Sequence, residues 1–244
     1  MCGIAGALIL RPNRPNLALL RETVRQCRRR GEDSFGAVSW SPSAGWREVR
    51  ETNGSIDLLD GMFPSETGGP YFFLHTSRAE PTTEFQQNKT VRDIPPFRVG
   101  DIAVAHNGII ANDGELARTY GITPPSAIDT AVLPALVAQI GFWRAVRELQ
   151  GGSAIGVIDA HCARLRLARN FLPLVVAWMP GMLAFASEAS FLPGHAAVFP
   201  PFRLWEMPPY TGIEFSPAGY HAPVPWGEDC VGADQSDWIP YPSE

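Results

Sequence analysis

The sequence is poor in the features that mark several functional classes. Its four cysteines, Cys2, Cys27, Cys162 and Cys230, form no CxxC pair and no metal-ligand spacing, so no metal centre is expected and a reducing, cytoplasmic setting fits best. Basic charge is not in excess. The 20 lysines and arginines stand against 25 aspartates and glutamates, a net charge of −5, which gives no general attraction for nucleic acid or an anionic membrane. No signal-peptide pattern and no long apolar run is found, so neither export nor a membrane span is expected. There is no internal repeat.

The chain does have apolar residues enough for a full core: 45% of its 244 residues are hydrophobic, which supports one large domain. The 23 glycines and 23 prolines are spread widely and favour many short strands joined by turns. Gly3 to Leu10 is an apolar run of strand length, broken at Arg11-Pro12-Asn13. A helix is expected over Leu17 to Arg29 with Asn16 as its N-cap. Leu17, Leu20, Val24 and Cys27 recur there at helical spacing, leaving Arg21, Arg25, Arg28, Arg29 and Arg30 on a solvated face. Phe35 to Trp40 and Trp46 to Glu51 read as a hairpin, and Tyr71 to Thr76 and Ile102 to His106 as buried strands separated by a polar loop, Glu80 to Arg92.

Helices are expected over Thr130 to Ile140 and Phe142 to Leu149. Ser153 to Asp159, Leu165 to Ala168, Leu174 to Trp178 and Met182 to Ala186 then follow as one β-meander, with a further hairpin from Phe202 to Met207 and Gly212 to Phe215. From Ala222 on, the chain is rich in Pro, Asp and Ser and reads as a mobile tail, giving a domain over 1–220 and a tail over 221–244. Strands at both ends with helices between them argue for an α+β domain of antiparallel sheets covered by helices.

Cys2, followed by the small Gly3, suits N-terminal catalysis. Removal of Met1 would expose an α-amine beside the thiol, and an amine with a pKa of about 7.7 to 8.0 can take the thiol proton near neutral pH. Asn107-Gly108, directly after a strand, reads by itself as a common turn pair. Asp129 stands before an apolar helix and fits an N-cap. The histidines at 75, 106, 161, 195 and 221 have no metal spacing and read as structural or surface residues.

Set side by side, Met1-Cys2-Gly3-Ile4, Arg30-Gly31-Glu32-Asp33-Ser34-Phe35-Gly36, His106-Asn107-Gly108-Ile109-Ile110, Ile128-Asp129-Thr130 and Phe185-Ala186-Ser187-Glu188 resemble, in order, the motifs of class II glutamine amidotransferases. Leu167-Ala168-Arg169-Asn170 is similar to the same family's A-R-D turn. The resemblance spans residues 1 to about 215. It implies the four-layer αββα sandwich of N-terminal nucleophile hydrolases, with Cys2 as nucleophile and Asn107 and Gly108 as the oxyanion hole. It further implies that Arg78 grips the α-carboxylate of L-glutamine and Asp129 its α-ammonium, with Arg30 and Asp33 in support.

Around Arg78 the chain departs from the family's H-T-R pattern, because Ser77 intervenes and Ala79 follows. The substrate threonine is then Thr82 or Thr83, and Asn88 stands for the asparagine that closes the segment. The function implied is a glutaminase that passes ammonia to a separate synthetase, without a cofactor. No phosphate loop of the Walker type is found, so ATP activation of an acceptor within this chain is not expected. A self-contained amidohydrolase of the same fold is the alternative, and a catalytically silent binding domain is a third reading that an intact set of site residues argues against.

Overall fold

A computed structural model describes residues 2–52, 56–62, 69–80, 87–192, 203–226 and 239–241. Two antiparallel sheets stack face to face. The first has the order β11-β9-β10-β1-β4-β2-β3, from β1 (Gly3–Ile9), β2 (Ser34–Ser41), β3 (Gly45–Glu51), β4 (Tyr71–Arg78), β9 (Val175–Met179), β10 (Met182–Ala186) and β11 (Arg203–Glu206). The second runs β13-β12-β8-β7-β6-β5, from β5 (Phe97–Val99), β6 (Ile102–Gly108), β7 (Ser153–Asp159), β8 (Arg164–Arg169), β12 (Thr211–Ser216) and β13 (Gly219–Tyr220), and β14 (Val224–Pro225) pairs with β12.

The period-2 alternation of each strand separates the layers. On β1, Ile4 and Leu8 point inward and meet Ala103, Ala105, Leu165, Leu167 and Phe215 of the second sheet. Ala5, Ala7 and Ile9 point outward, against Leu20, Val24 and Cys27 of helix α1 (Arg14–Cys27). On β6, Val104 faces the other way, into a cluster with Leu116, Leu133, Leu136 and Val146. Those residues belong to α2 (Asp113–Thr119), α3 (Leu133–Ile140) and α4 (Phe142–Glu148). The result is the expected αββα sandwich, helix layer on sheet on sheet on helix layer. Each fully buried Leu, Ile or Phe in these clusters contributes about 1.5 to 3 kcal/mol of transfer free energy.

Several expectations are corrected. The α1 helix starts earlier than Leu17: its N-cap is Asn13, whose side chain accepts the Asn16 N–H at 2.9 Å, and Pro15 fits the first turn because it lacks the donor that a first turn leaves orphaned. Asn16 is buried, and its amide donates to the carbonyls of Arg11 and Pro180, each at 3.1 Å. The single meander does not form. β7 and β8 pair in the second sheet, while β9 and β10 pair in the first, so the chain crosses between sheets at Asn170 to Leu174. The expected last hairpin is also split, because β11 pairs with β9 and β12 with β8. β6 extends through Asn107 and Gly108, which pair with Ala154 and Ser153. Within 221–244, the described residues include a bridge from Ile239 to Tyr220 and a hydrogen bond from the Tyr241 hydroxyl to the Ser216 carbonyl at 2.6 Å.

Candidate active site

Strand register brings the expected residues to one end of the sandwich. β4 lies between β1 and β2, with Gly3 opposite Ser77 and Ser34 opposite Arg78. Continuing that register, Cys2 comes level with Arg78. Two further contacts hold the start of β1. The Ile4 N–H donates to Ser187 Oγ at 2.9 Å, and the Ser187 N–H donates to the Ile4 carbonyl at 2.9 Å. Glu188, the next residue, pairs with Arg30 at 3.3 Å. The Phe185-Ala186-Ser187-Glu188 segment thus holds the start of the strand that follows Cys2.

Cys2 is half-buried. Burial pushes its thiol pKa up, opposed by the Arg78 charge and reinforced by those of Glu80 and Asp129. The thiol therefore stays protonated near neutral pH unless a base takes its proton. Cys27, packed behind Gly3, is pushed up by burial to about 12 and is an inert core residue.

The second sheet contributes the end of β6. Gly108 has a φ of +146°, and a Cβ there would stand 1.9 Å from the Gly152 carbonyl oxygen, so only glycine fits. Asn107 is 5% exposed, and among the described residues its side-chain amide has no hydrogen-bond partner, which leaves its donors available. The strand beyond is fixed by the Ile109 N–H donating to the Gly152 carbonyl at 2.9 Å. Asn170 secures that partner segment by accepting the Ser153 N–H at 2.8 Å and donating to the Gly151 carbonyl at 2.7 Å. This is the structural use of the Ala168-Arg169-Asn170 turn.

Asp129 lies next to this segment. Its Oδ2 accepts the Ile110 N–H at 2.8 Å, and its Oδ1 accepts the Thr130 N–H at 2.7 Å and the Thr130 hydroxyl at 3.2 Å. It therefore tethers the segment after β6 to the helix layer, and the N-cap expected from sequence is corrected: Ile128 holds the cap position and Asp129 is the first residue of the helical turn. Asp33 is a junction as well: its N–H donates to the Arg78 carbonyl at 3.0 Å and its Oδ2 accepts the Glu80 N–H at 2.8 Å. Gly31 lies so close that a Cβ would stand 2.2 Å from the Ala79 nitrogen. Thr82 and Thr83 lie outside the described residues.

Two residues of the site were missed by the sequence reading. Glu80 and Lys89 are 2% and 3% exposed in their side chains, and they pair with each other at 3.7 Å. Glu80 also pairs with Arg78 at 3.4 Å. The available signal was that Lys89 is the sole lysine of the sequence.

His75 and His106 are buried structural residues, as expected. His75 Nδ1 contacts the Gly36 carbonyl at 2.8 Å and Nε2 the Ser77 hydroxyl at 2.7 Å. Burial pushes its pKa down to about 3, and burial also lowers that of His106, against the pull of Asp129. An unfolded histidine titrates near pH 6.5, so below that pH the unfolded chain binds protons that the folded chain refuses, and stability falls as pH drops from about 6.5 towards 3. At pH 5 the loss is on the order of 2 kcal/mol for His75 alone, which corresponds to a melting temperature lower by about 4 to 8 °C for a domain of this size. Thermal unfolding followed between pH 7.5 and 5 measures it. A flat profile would mean that these histidines are not held neutral.

A family model described as a glutamine amidotransferase domain matches residues 87–193. The chain is 34% identical over 229 residues to a 7-cyano-7-deazaguanine synthase of Saccharolobus solfataricus, covering 87% of this chain and 48% of the relative. It is 31% identical over 202 residues to a glutamine–fructose-6-phosphate aminotransferase (isomerizing) of Legionella pneumophila, covering 78% of this chain and 32% of the relative. The chain thus spans about half the length, or less, of these curated relatives. Among solved structures, a glutamine phosphoribosylpyrophosphate amidotransferase of B. subtilis superposes with a TM-score of 0.69 at 18% identity, over 92% of this chain and 49% of that one. A glutamine aminotransferase class-II domain protein of Silicibacter pomeroyi gives 0.55 at 15% identity, over 93% and 99%. At such identities these likenesses speak for the fold alone.

Proposed function

The chain carries a class II glutamine amidotransferase domain, and on that premise we propose that it hydrolyses the side-chain amide of L-glutamine and supplies the ammonia to a separate synthetase chain. The observation that carries this reading is the register that sets Cys2 level with Arg78. After removal of Met1, the α-amine of Cys2 takes the thiol proton and the thiolate attacks the amide carbon. The side-chain N–H of Asn107 and the backbone N–H of Gly108 hold the oxyanion. Collapse of the tetrahedral intermediate breaks the C–N bond, the ammonium returns its proton to the leaving nitrogen, and ammonia departs. Water then attacks the γ-glutamyl thioester, releasing glutamate and restoring the thiol. Arg78 binds the α-carboxylate, Asp129 the α-ammonium, and Thr82 or Thr83 adds a contact, while Arg30 and Asp33 hold the surroundings in place.

The separate acceptor is supported by an apolar rim beside the site: Ile109, next to Gly108, is 70% exposed, with Phe171 at 58% and Tyr210 at 55%. Free ammonia delivery to water would waste glutamine, so slow hydrolysis by the chain alone is expected, stimulated several-fold by the partner loaded with its acceptor. Glutamate release measured with and without partners recovered by pull-down tests this. A high rate that no partner changes would favour the self-contained amidohydrolase, and no glutamate release under any condition would sink both readings.

A further inference from the structure

Glu80 stands beside the nucleophile as a buried carboxylate. Its backbone N–H is held by Asp33, and Asp33 also receives a hydrogen bond at its own carbonyl from Lys89. Glu80 Oε2 is 3.4 Å from Arg78 Nη2, and Oε1 is 3.7 Å from Lys89 Nζ. The segment that carries Arg78 and Glu80 is therefore fixed at both backbone and side chain.

Among the described residues, Glu80 Oε2 is nevertheless buried and accepts no hydrogen bond. A buried carboxylate oxygen without a donor is costly, and the missing donor is naturally one that arrives with a ligand. Asp129 also accepts hydrogen bonds at both oxygens, from Ile110 and Thr130, so Glu80 is a further carboxylate beside it and not a replacement for it. Among these side chains, Arg78 and Lys89 are cationic and Glu80, Asp33 and Asp129 anionic, an excess of negative charge that favours a cationic group on the ligand. A zwitterionic amino acid adds one charge of each sign, and its carboxylate and ammonium hang from the same carbon. That spacing matches an adjacent Arg78 and Glu80, each end of the zwitterion facing its opposite.

We propose that Glu80 is a specificity-determining residue that receives the α-ammonium of the amino-acid substrate, with Lys89 as its positioning residue. The proposal rests on the glutaminase reading and adds a contact that the sequence motifs do not assign. Its test compares L-glutamine with 4-carbamoylbutanoate, which is glutamine without the α-amine, as substrate or competitive inhibitor. The wild-type chain should prefer glutamine strongly. Glu80→Gln should lose at least tenfold in kcat/KM on glutamine while its response to the analogue changes less than about threefold, because the analogue has no ammonium to lose. Glu80→Asp, which keeps the charge, should recover part of the preference. An equal loss on both compounds would mean that Glu80 only orients Arg78, and would overturn the proposal. So would an unchanged preference in a folded Glu80→Gln variant. A wild-type chain that releases no ammonia from glutamine would instead refute the glutaminase reading beneath it.

Discussion

Replacing Cys2 with alanine is expected to lower glutamine hydrolysis by roughly 10⁴-fold or more, because the variant loses the atom that forms the thioester in the proposed mechanism. The fold should survive. Cys2 precedes β1, is half-buried and belongs to none of the hydrophobic clusters, so the melting temperature should stay within about 2 °C of wild type. The same mechanism makes the free α-amine essential. Burial raises the Cys2 thiol pKa, so proton removal needs a local base, and kcat/KM should rise with pH through an amine pKa of about 7.7 to 8.0. Intact mass of the purified enzyme should begin at Cys2. Substantial activity in Cys2→Ala, or full activity in protein that keeps Met1, would place the nucleophile or the base elsewhere.

Asn107→Ala should reduce kcat by about 10²- to 10³-fold with little change in KM, the pattern expected when a donor acts on the oxyanion and not on the bound ground state. The side-chain amide has no partner among the described residues, so its removal leaves no buried group stranded and the fold has little to lose. Gly108→Ala combines two effects. It places a Cβ 1.9 Å from the Gly152 carbonyl oxygen at a φ of +146°, which disturbs the β6 to β7 pairing and moves the backbone N–H proposed to hold the oxyanion. Steady-state kinetics with parallel thermal unfolding separates the two, since Asn107→Ala should leave the melting temperature unchanged and Gly108→Ala should lower it. A rise in KM alone for Asn107→Ala would reassign Asn107 to substrate binding.

Much of the local structure was legible from residue type and spacing. Alternation in Gly3 to Ile9 and Ile102 to Gly108 separates the residues of the inter-sheet core from those under the helices, and that periodicity is set by the backbone pleat. The hairpin of Phe35 to Trp40 with Trp46 to Glu51 formed as expected, because its turn joins neighbours in sequence. The errors came where pairing is not local. An apolar strand such as Val175–Met179 fits either sheet by composition, and only packing against β10 and β11 decides its place. The N-cap of α1 was misjudged because Asn13 and Asn16 both qualify by type, and the burial that recruits Asn16 to the Arg11 and Pro180 carbonyls involves a residue far along the chain.

The sequence by itself determined the α+β class and the chemical inventory: a thiol at position 2 and an Asn-Gly pair at the end of a strand. Those are properties of residue identity and short-range spacing, which do not depend on the rest of the fold. Tertiary structure alone decided that β9 and β10 return to the first sheet, that Ser187 and Glu188 clamp the start of β1, and that Glu80 and Lys89 stand buried beside Arg78. The physical reason is burial. In a solvated loop Glu80 and Lys89 would be two ordinary charges screened by water, and it is the loss of that water, imposed by strands distant in sequence, that makes their pairing strong and their placement specific.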